Sequence, residues 1–262
     1  MTTSDLDKHT QQVAQQFNRQ AEAYASTKQA KDIEAMRKLT YLTDANDQTK
    51  SLDVACGPGR LTMAFAGRVQ HATGIDATEA LLDIAQKEAQ DLGINNIEFR
   101  YGSALNMPFA DNAFDIETCR AAYHHFARPG RVFAEMVRTT KTGGQILIAD
   151  ILGHDDTITA QAHDEIERLC DPSHTHCLSR SQFEALFKQH SVTVEKTYPG
   201  QASYELESWL LHGGPGADAE QRIKSLFETY AGEDKTGLKI RCENGQYLFT
   251  HQTIAYVLRK TA

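Results

Sequence analysis

The sequence predicts a doubly wound α/β protein built on a mostly parallel, seven-stranded sheet. Three observations predict it. Between residues 51 and 150, short apolar runs alternate with helical patterns, which is how βαβ units read in a sequence. The first run ends in a glycine-rich turn, Cys56-Gly57-Pro58-Gly59, and the second ends in an acid, Asp76. Two further apolar runs close the chain among less regular helical patterns.

The elements follow in order. Val13, Phe17, Ala21 and Tyr24 recur at helical spacing, and Ile33, Met36, Leu39 and Leu42 mark a second helix over about 29–43. Asp44 to Gln48 reads as a loop. Ser51 to Cys56 is the first strand, and a helix runs from its glycine turn to about Gly67. Ala72 to Asp76 is the second strand. Thr78 is placed to cap the next helix, whose stripe is Leu81, Ala85, Ala89 and Leu92 and whose stop is Gly93. Ile97 to Tyr101 and Phe114 to Cys119 are the third and fourth strands. A helix near 130–140 leads through Gly143-Gly144 to a fifth, Gln145 to Asp150. Helical patterns near 158–170, 179–190, 203–212 and 218–231 precede or separate the last two strands, Ser191 to Tyr198 and Thr250 to Arg259. Parallel connections of this kind are nearly always right-handed.

The charge narrows the function. Lys plus Arg number 27 and Asp plus Glu 35, a net −8 with the basic residues scattered among acids. Phosphate backbones require clustered Lys and Arg, so nucleic acid is not an expected partner. No run of ~18 apolar residues exists, so no membrane segment is expected. The opening residues lack the basic-then-apolar layout of a signal peptide. Five spread cysteines without a CxxC pattern suggest free thiols in a reducing, cytoplasmic setting.

The strongest chemical signal is Asp53-Val54-Ala55-Cys56-Gly57-Pro58-Gly59-Arg60, at a strand-to-helix junction. Glycines there let a ligand approach the backbone, and the helix start offers free N–H groups. In open α/β sheets ligands collect at this carboxyl edge. A glycine pair alone reads as a tight turn, and a lone acid as a surface charge. Loop, helix and Asp76 together point to a nucleoside-containing ligand whose ribose hydroxyls Asp76 accepts. A dinucleotide fingerprint would need G-x-G-x-x-G, and the third glycine is absent. Asp53 would repel a pyrophosphate and tolerate a cation such as a sulfonium.

At these residues the chain resembles class I S-adenosylmethionine-dependent methyltransferases, closest to the ubiquinone-biosynthesis-like group acting on small molecules. The resemblance spans Ser51 to Asp150. It rests on Asp53-x-Ala55-x-Gly57-x-Gly59, Gly74-Ile75-Asp76, the run Gly102 to Phe109, Phe114-Asp115 and Gly143-Gly144. Gln16-Phe17 to Tyr24 and Asp171-Pro172-Ser173-His174 are similar to one bacterial branch. The resemblance implies a Rossmann-like methyltransferase fold with S-adenosylmethionine as cofactor. It places Asp53, Ala55, Gly57 and Gly59 around the methionine part, Asp76 on the ribose and Ala77 beside the adenine. Ser103 and Ala104 would meet the adenine edge, Cys119 and Arg120 the amino-acid end, and Tyr24 and Phe17 would cap the site, Phe17 on the substrate side. Ala55 stands where glycine is commoner in the group, and Ser103 where aspartate is.

One domain over 1–262 is expected. It comprises a helical cap at 1–50, the cofactor-binding core at 51–150, and a lid, substrate region and last strands at 151–262. The 151–178 stretch reads as a partial lid. Methyl transfer needs alignment, exclusion of water and sometimes a base. His124 and then His125, after the fourth strand, are the candidate catalytic residues. His174 and His176 are candidate substrate contacts. Cys170, His174, His176 and Cys177 match no common zinc spacing, so no metal is expected from that segment. The expected acceptor is a small molecule, with a slight lean to a phenolic, quinonoid or heterocyclic metabolite, and a homodimer is left open. The alternatives are a noncatalytic S-adenosylmethionine-binding protein and an NAD-dependent oxidoreductase.

Overall fold

The computed structural model describes residues 3–26 and 32–262; the side chains of 3–7, 23, 24 and 212 lie outside that description. The elements are α1 (Thr3–Ser26), α2 (Ile33–Thr40), β1 (Lys50–Val54), α3 (Arg60–Ala66), β2 (His71–Asp76), α4 (Glu79–Asp91), β3 (Ile97–Tyr101), β4 (Phe114–Arg120), a 3₁₀ turn (Tyr123–His125), α5 (Pro129–Thr139), β5 (Thr140–Ile151), α6 (Thr157–Cys170), α7 (Arg180–Phe187), β6 (Val192–Glu205), α8 (Leu206–Gly213), α9 (Ala217–Tyr230), β7 (Arg241–Glu243) and β8 (Gln246–Lys260). The second helix begins at Ile33, and the part of the sequence expectation over 29–31 lies outside the described residues.

The main sheet order is β3-β2-β1-β4-β5-β8-β6. β1 through β5 are parallel, and β8 is antiparallel to both β5 and β6. From β1 the chain winds outward to β3, then returns to place β4 on the other side of β1. This reversal opens a crevice at the carboxyl ends of β1 and β4.

Strands buried on both faces explain the continuous apolar runs. One face packs Leu52, Ile146 and Ile148 with Val132, Phe133 and Phe183 from α5 and α7. The other packs Ala72 and Ile116 with Leu61 and Phe65 of α3 and Met36 of α2.

The sheet has eight strands rather than seven. The extra one, β7, is a three-residue arm of a hairpin with β8. Asn244 and Gly245 turn it at φ 52° and 81°, the pair of left-handed residues a tight hairpin uses. β6 and β8 also run longer than expected, to Glu205 and from Gln246. Pro199 does not stop β6, because β6 is the sheet edge, where a missing N–H leaves no ladder bond broken. The overhanging ends of β6 and β8 carry a separate apolar cluster. Phe249, Ile166 of α6, Leu210 of α8 and Phe227 of α9 belong to it.

Thr78 occupies the N-cap of α4 but makes no capping bond. The Ala80 N–H instead donates to Asn18 Oδ1 of α1 at 3.2 Å. The β2–β3 crossover is thereby tied to the N-terminal helix.

Candidate active site

The glycine turn takes its shape from backbone that side chains resist. Ala55, Gly57 and Gly59 all have positive φ, 55°, 53° and 74°. A Cβ on Gly59 would stand 2.6 Å from the Phe99 ring. The turn is fastened from across the sheet, where the Gly57 N–H donates to Asp76 Oδ2 at 2.8 Å. The Thr78 N–H donates to Asp76 Oδ1 at 2.8 Å. The Ala77 N–H and the Thr78 hydroxyl also bear on this carboxylate and favour its charged form. Burial pushes its pKa upward against these hydrogen bonds.

Asp53 lies at the end of β1 beside Thr118 of β4. Its two oxygens accept from Thr62 Oγ1 and Thr118 Oγ1, each at 2.8 Å. Burial is the larger influence, and the carboxyl is raised to about 6. A buried acid of this kind is receptive to a cation. The Arg120 side chain, at the end of β4, acts on Asp53 through its charge, which favours the ionised carboxylate against burial.

These groups line one cavity over the β1–β4 crevice. It encloses about 1150 Å³ of empty space, its mouth included. Phe17, Asp53, Ala55, Gly57, Asp76, Ala77, Ser103, Ala104, Arg120 and His125 all line it. Gly59 and Cys119 do not. Gly59 shapes the turn beneath, and Cys119 is buried in the sheet. The Tyr24 side chain lies outside the described residues. The roof is α1, through His9, Thr10, Val13, Ala14 and Phe17. Val13 was legible on the helix's apolar face; His9 and Thr10 carried no signal. No residue of 151–178 lines the cavity.

His124 and His125 leave β4 together but face different partners. His124 Nδ1 meets Asp150 Oδ1 at 2.6 Å. Burial works against its charge, but Asp150 prevails and holds its pKa above the ordinary value. Asp150 Oδ2 also accepts the Ala122 and Tyr123 N–H groups at 3.0 and 2.7 Å, which pins the turn. His125 lines the cavity, edge-on to Phe17 at 5.2 Å. Ser173 Oγ donates to Asp171 Oδ1 at 2.6 Å, which leaves it an acceptor toward His125 Nδ1 at 3.0 Å. That order puts the ring proton on Nδ1 and a lone pair on Nε2. Burial, and then the His124 charge, hold His125 well below its ordinary pKa.

His174 and His176 are turned away from the cavity toward Asp164. His174 Nε2 reaches Asp164 Oδ1 at 2.8 Å and His176 Nδ1 reaches Oδ2 at 2.6 Å. The Thr175 N–H and hydroxyl both donate to the His124 carbonyl at 2.8 Å. The segment around Ser173 is therefore a buttress behind the histidine turn.

Residues 45–213 match the methyltransferase domain family. A Bacillus subtilis relative, the uncharacterized methyltransferase YcgJ, is 31% identical over 231 residues, 88% of this chain and 91% of its own. The YcgJ crystal structure superposes with a TM-score of 0.80 over 87% of this chain and 99% of that one, at 28% identity. A crystal structure of a methyltransferase-like protein from Bacillus halodurans gives 0.82 over 87% and 100%, at 27% identity. A Bacillus cereus demethylmenaquinone methyltransferase is 32% identical over 117 residues, 43% of this chain and 49% of that one.

The chain belongs to the methyltransferase domain family, on the Rossmann-like fold of that family. It is an S-adenosylmethionine-dependent methyltransferase of class I. The cavity residues suit that cofactor: an acid ready for ribose hydroxyls, and a second acid ready for a sulfonium-bearing amino-acid chain.

Proposed function

We propose that this enzyme transfers the methyl group to a small molecule held between the glycine turn and α1. The observation that carries this reading is the roof. Val13, Ala14 and Phe17 of α1 line the same cavity as Asp53 and Asp76, an apolar wall that suits a compact acceptor with an apolar body. A nucleic acid would need a basic approach, which the net charge of −8 does not favour.

The cofactor supplies an electrophilic methyl carbon. Asp76 would hold its ribose, Ala77, Ser103 and Ala104 its adenine, and Arg120 its carboxylate. Asp53 would face its cationic end. His125 is the preferred base over His124. It lines the cavity and carries a lone pair on Nε2, whereas His124 is committed to Asp150. His125 would take the acceptor's proton as the bond to the methyl carbon forms. The reading favours a phenol-like or quinonoid acceptor, in keeping with the relative named demethylmenaquinone methyltransferase.

The test is incubation of metabolite extracts with the enzyme and methyl-labelled S-adenosylmethionine, read by mass spectrometry. A labelled low-mass product is expected, and H125Q should lower kcat by about 100-fold or more. Label confined to protein or nucleic acid would refute the small-molecule reading, and unchanged kcat in H125Q would refute the base.

A further inference from the structure

We propose that His163, Glu167 and His251 form a binding site for one zinc-class divalent cation, separate from the methyl-transfer cavity. His163 and Glu167 lie one turn apart on α6, and His251 faces them from β8. The three side chains are almost wholly buried, at 1%, 9% and 2% exposure. Their ligand atoms all lie within 4.8 Å of one another. His251 Nε2 stands 2.8 Å from Glu167 Oε1, and His163 Nε2 stands 3.8 Å from that same oxygen. A tetrahedral ion with ligands at ~2.0–2.1 Å sets neighbouring ligand atoms about 3.3 Å apart, between the two observed values.

A second observation points to a ligand. Neither ring nitrogen of His163 has a hydrogen-bond partner, and the same holds for His251 Nδ1. A neutral imidazole always carries one N–H and one lone pair, so His163 buries both unsatisfied. Such a group is costly unless something binds it. An ion at Nε2 would use the lone pair and free the Glu167 oxygen from serving His251 alone.

Two imidazoles and one carboxylate are a ligand set suited to zinc, and a solvent molecule completes the tetrahedron. The neighbouring Asp164, His174 and Cys177 also lie together, but that carboxylate is already satisfied. It accepts from His174, His176 and the Cys177 N–H. The inferred ion would tie α6 to the sheet and steady the segment that follows α6, which carries Ser173 behind His125.

The experiment titrates metal-freed full-length enzyme with Zn(II) and with Co(II) as an absorbing substitute. One ion per chain is expected, with a Co(II) ligand-field spectrum free of thiolate charge transfer. At zinc one-hundredfold above its dissociation constant, Tm should rise by roughly 5–10 °C. H163Q and H251Q, checked for folding by circular dichroism, should lose at least about 100-fold in affinity. The wild-type spectrum decides the matter if either variant fails to fold. Absence of binding to the wild type, a thiolate-to-cobalt band, or unchanged affinity in the folded variants would overturn the proposal.

Discussion

Asp53 shows how one carboxyl can be set for a cationic ligand. The unfolded chain loses its proton near the ordinary value of 3.8, while the buried group holds it to about 6. The folded state therefore binds the extra proton between those values, and ligand-free stability falls as pH rises across them. A sulfonium or ammonium nearby favours the charged form and reverses that penalty. Cofactor affinity should thus drop about tenfold from pH 7 to pH 5, and calorimetry across that range checks it. D53N should bind more weakly at pH 7 and show a flat profile; a steep profile in D53N would assign the proton elsewhere. Gly59 acts by shape instead. An alanine there meets both the φ of 74° and the Phe99 ring, so G59A should lose about 2–4 kcal/mol, measurable by denaturant unfolding. Asp76 was legible from its place after the second strand, and its grip on the Gly57 N–H was not. That bond joins residues 19 apart in sequence, and no local pattern announces it.

The short helix Tyr123–His125, which carries the proposed base, is held at both ends. Asp150 accepts three backbone N–H groups, from Ala122, Tyr123 and Ile151, besides His124. The His124 contribution is full below the ordinary histidine pKa and is lost as pH rises through its raised folded value. The Asp150 contribution is present above the ordinary carboxyl range and is lost as pH falls through its lowered value. The pair therefore supports the turn from mildly acid to neutral pH. D150N leaves buried donors unmet and should destabilise by about 3 kcal/mol, a Tm drop of roughly 6–12 °C by calorimetry. An unchanged Tm would show that the turn does not depend on the carboxylate. Strand runs such as Leu52–Val54 and Ile146–Ile148 were readable because both faces are buried. β7 was missed, although Glu243-Asn244-Gly245-Gln246 carries a hairpin signal. The capping of α4 by Asn18 was not readable, because the partner comes from another helix. The same reason hid the division of labour between adjacent His124 and His125.

At the scale of the whole molecule, the chain separates binding from support. The sheet switch between β1 and β4 makes the crevice, α1 roofs it, and the C-terminal half braces the histidine turn from behind. The C-terminal half also builds its own apolar cluster on the extended β6 and β8. The cofactor core was legible because its residues are local to strand ends. The buttress was not, because Ser173 and His125 meet only after the chain has passed through β5 and α6. Among the described residues, no helix is long and apolar enough to cross a membrane. The central claim is that the crevice holds S-adenosylmethionine through Asp76. Calorimetric titration of S-adenosylhomocysteine tests it most directly. The wild type should bind one equivalent, and D76A should lose at least about 100-fold in affinity while retaining cooperative unfolding. Absence of binding to the wild type, or full affinity in D76A, would contradict it.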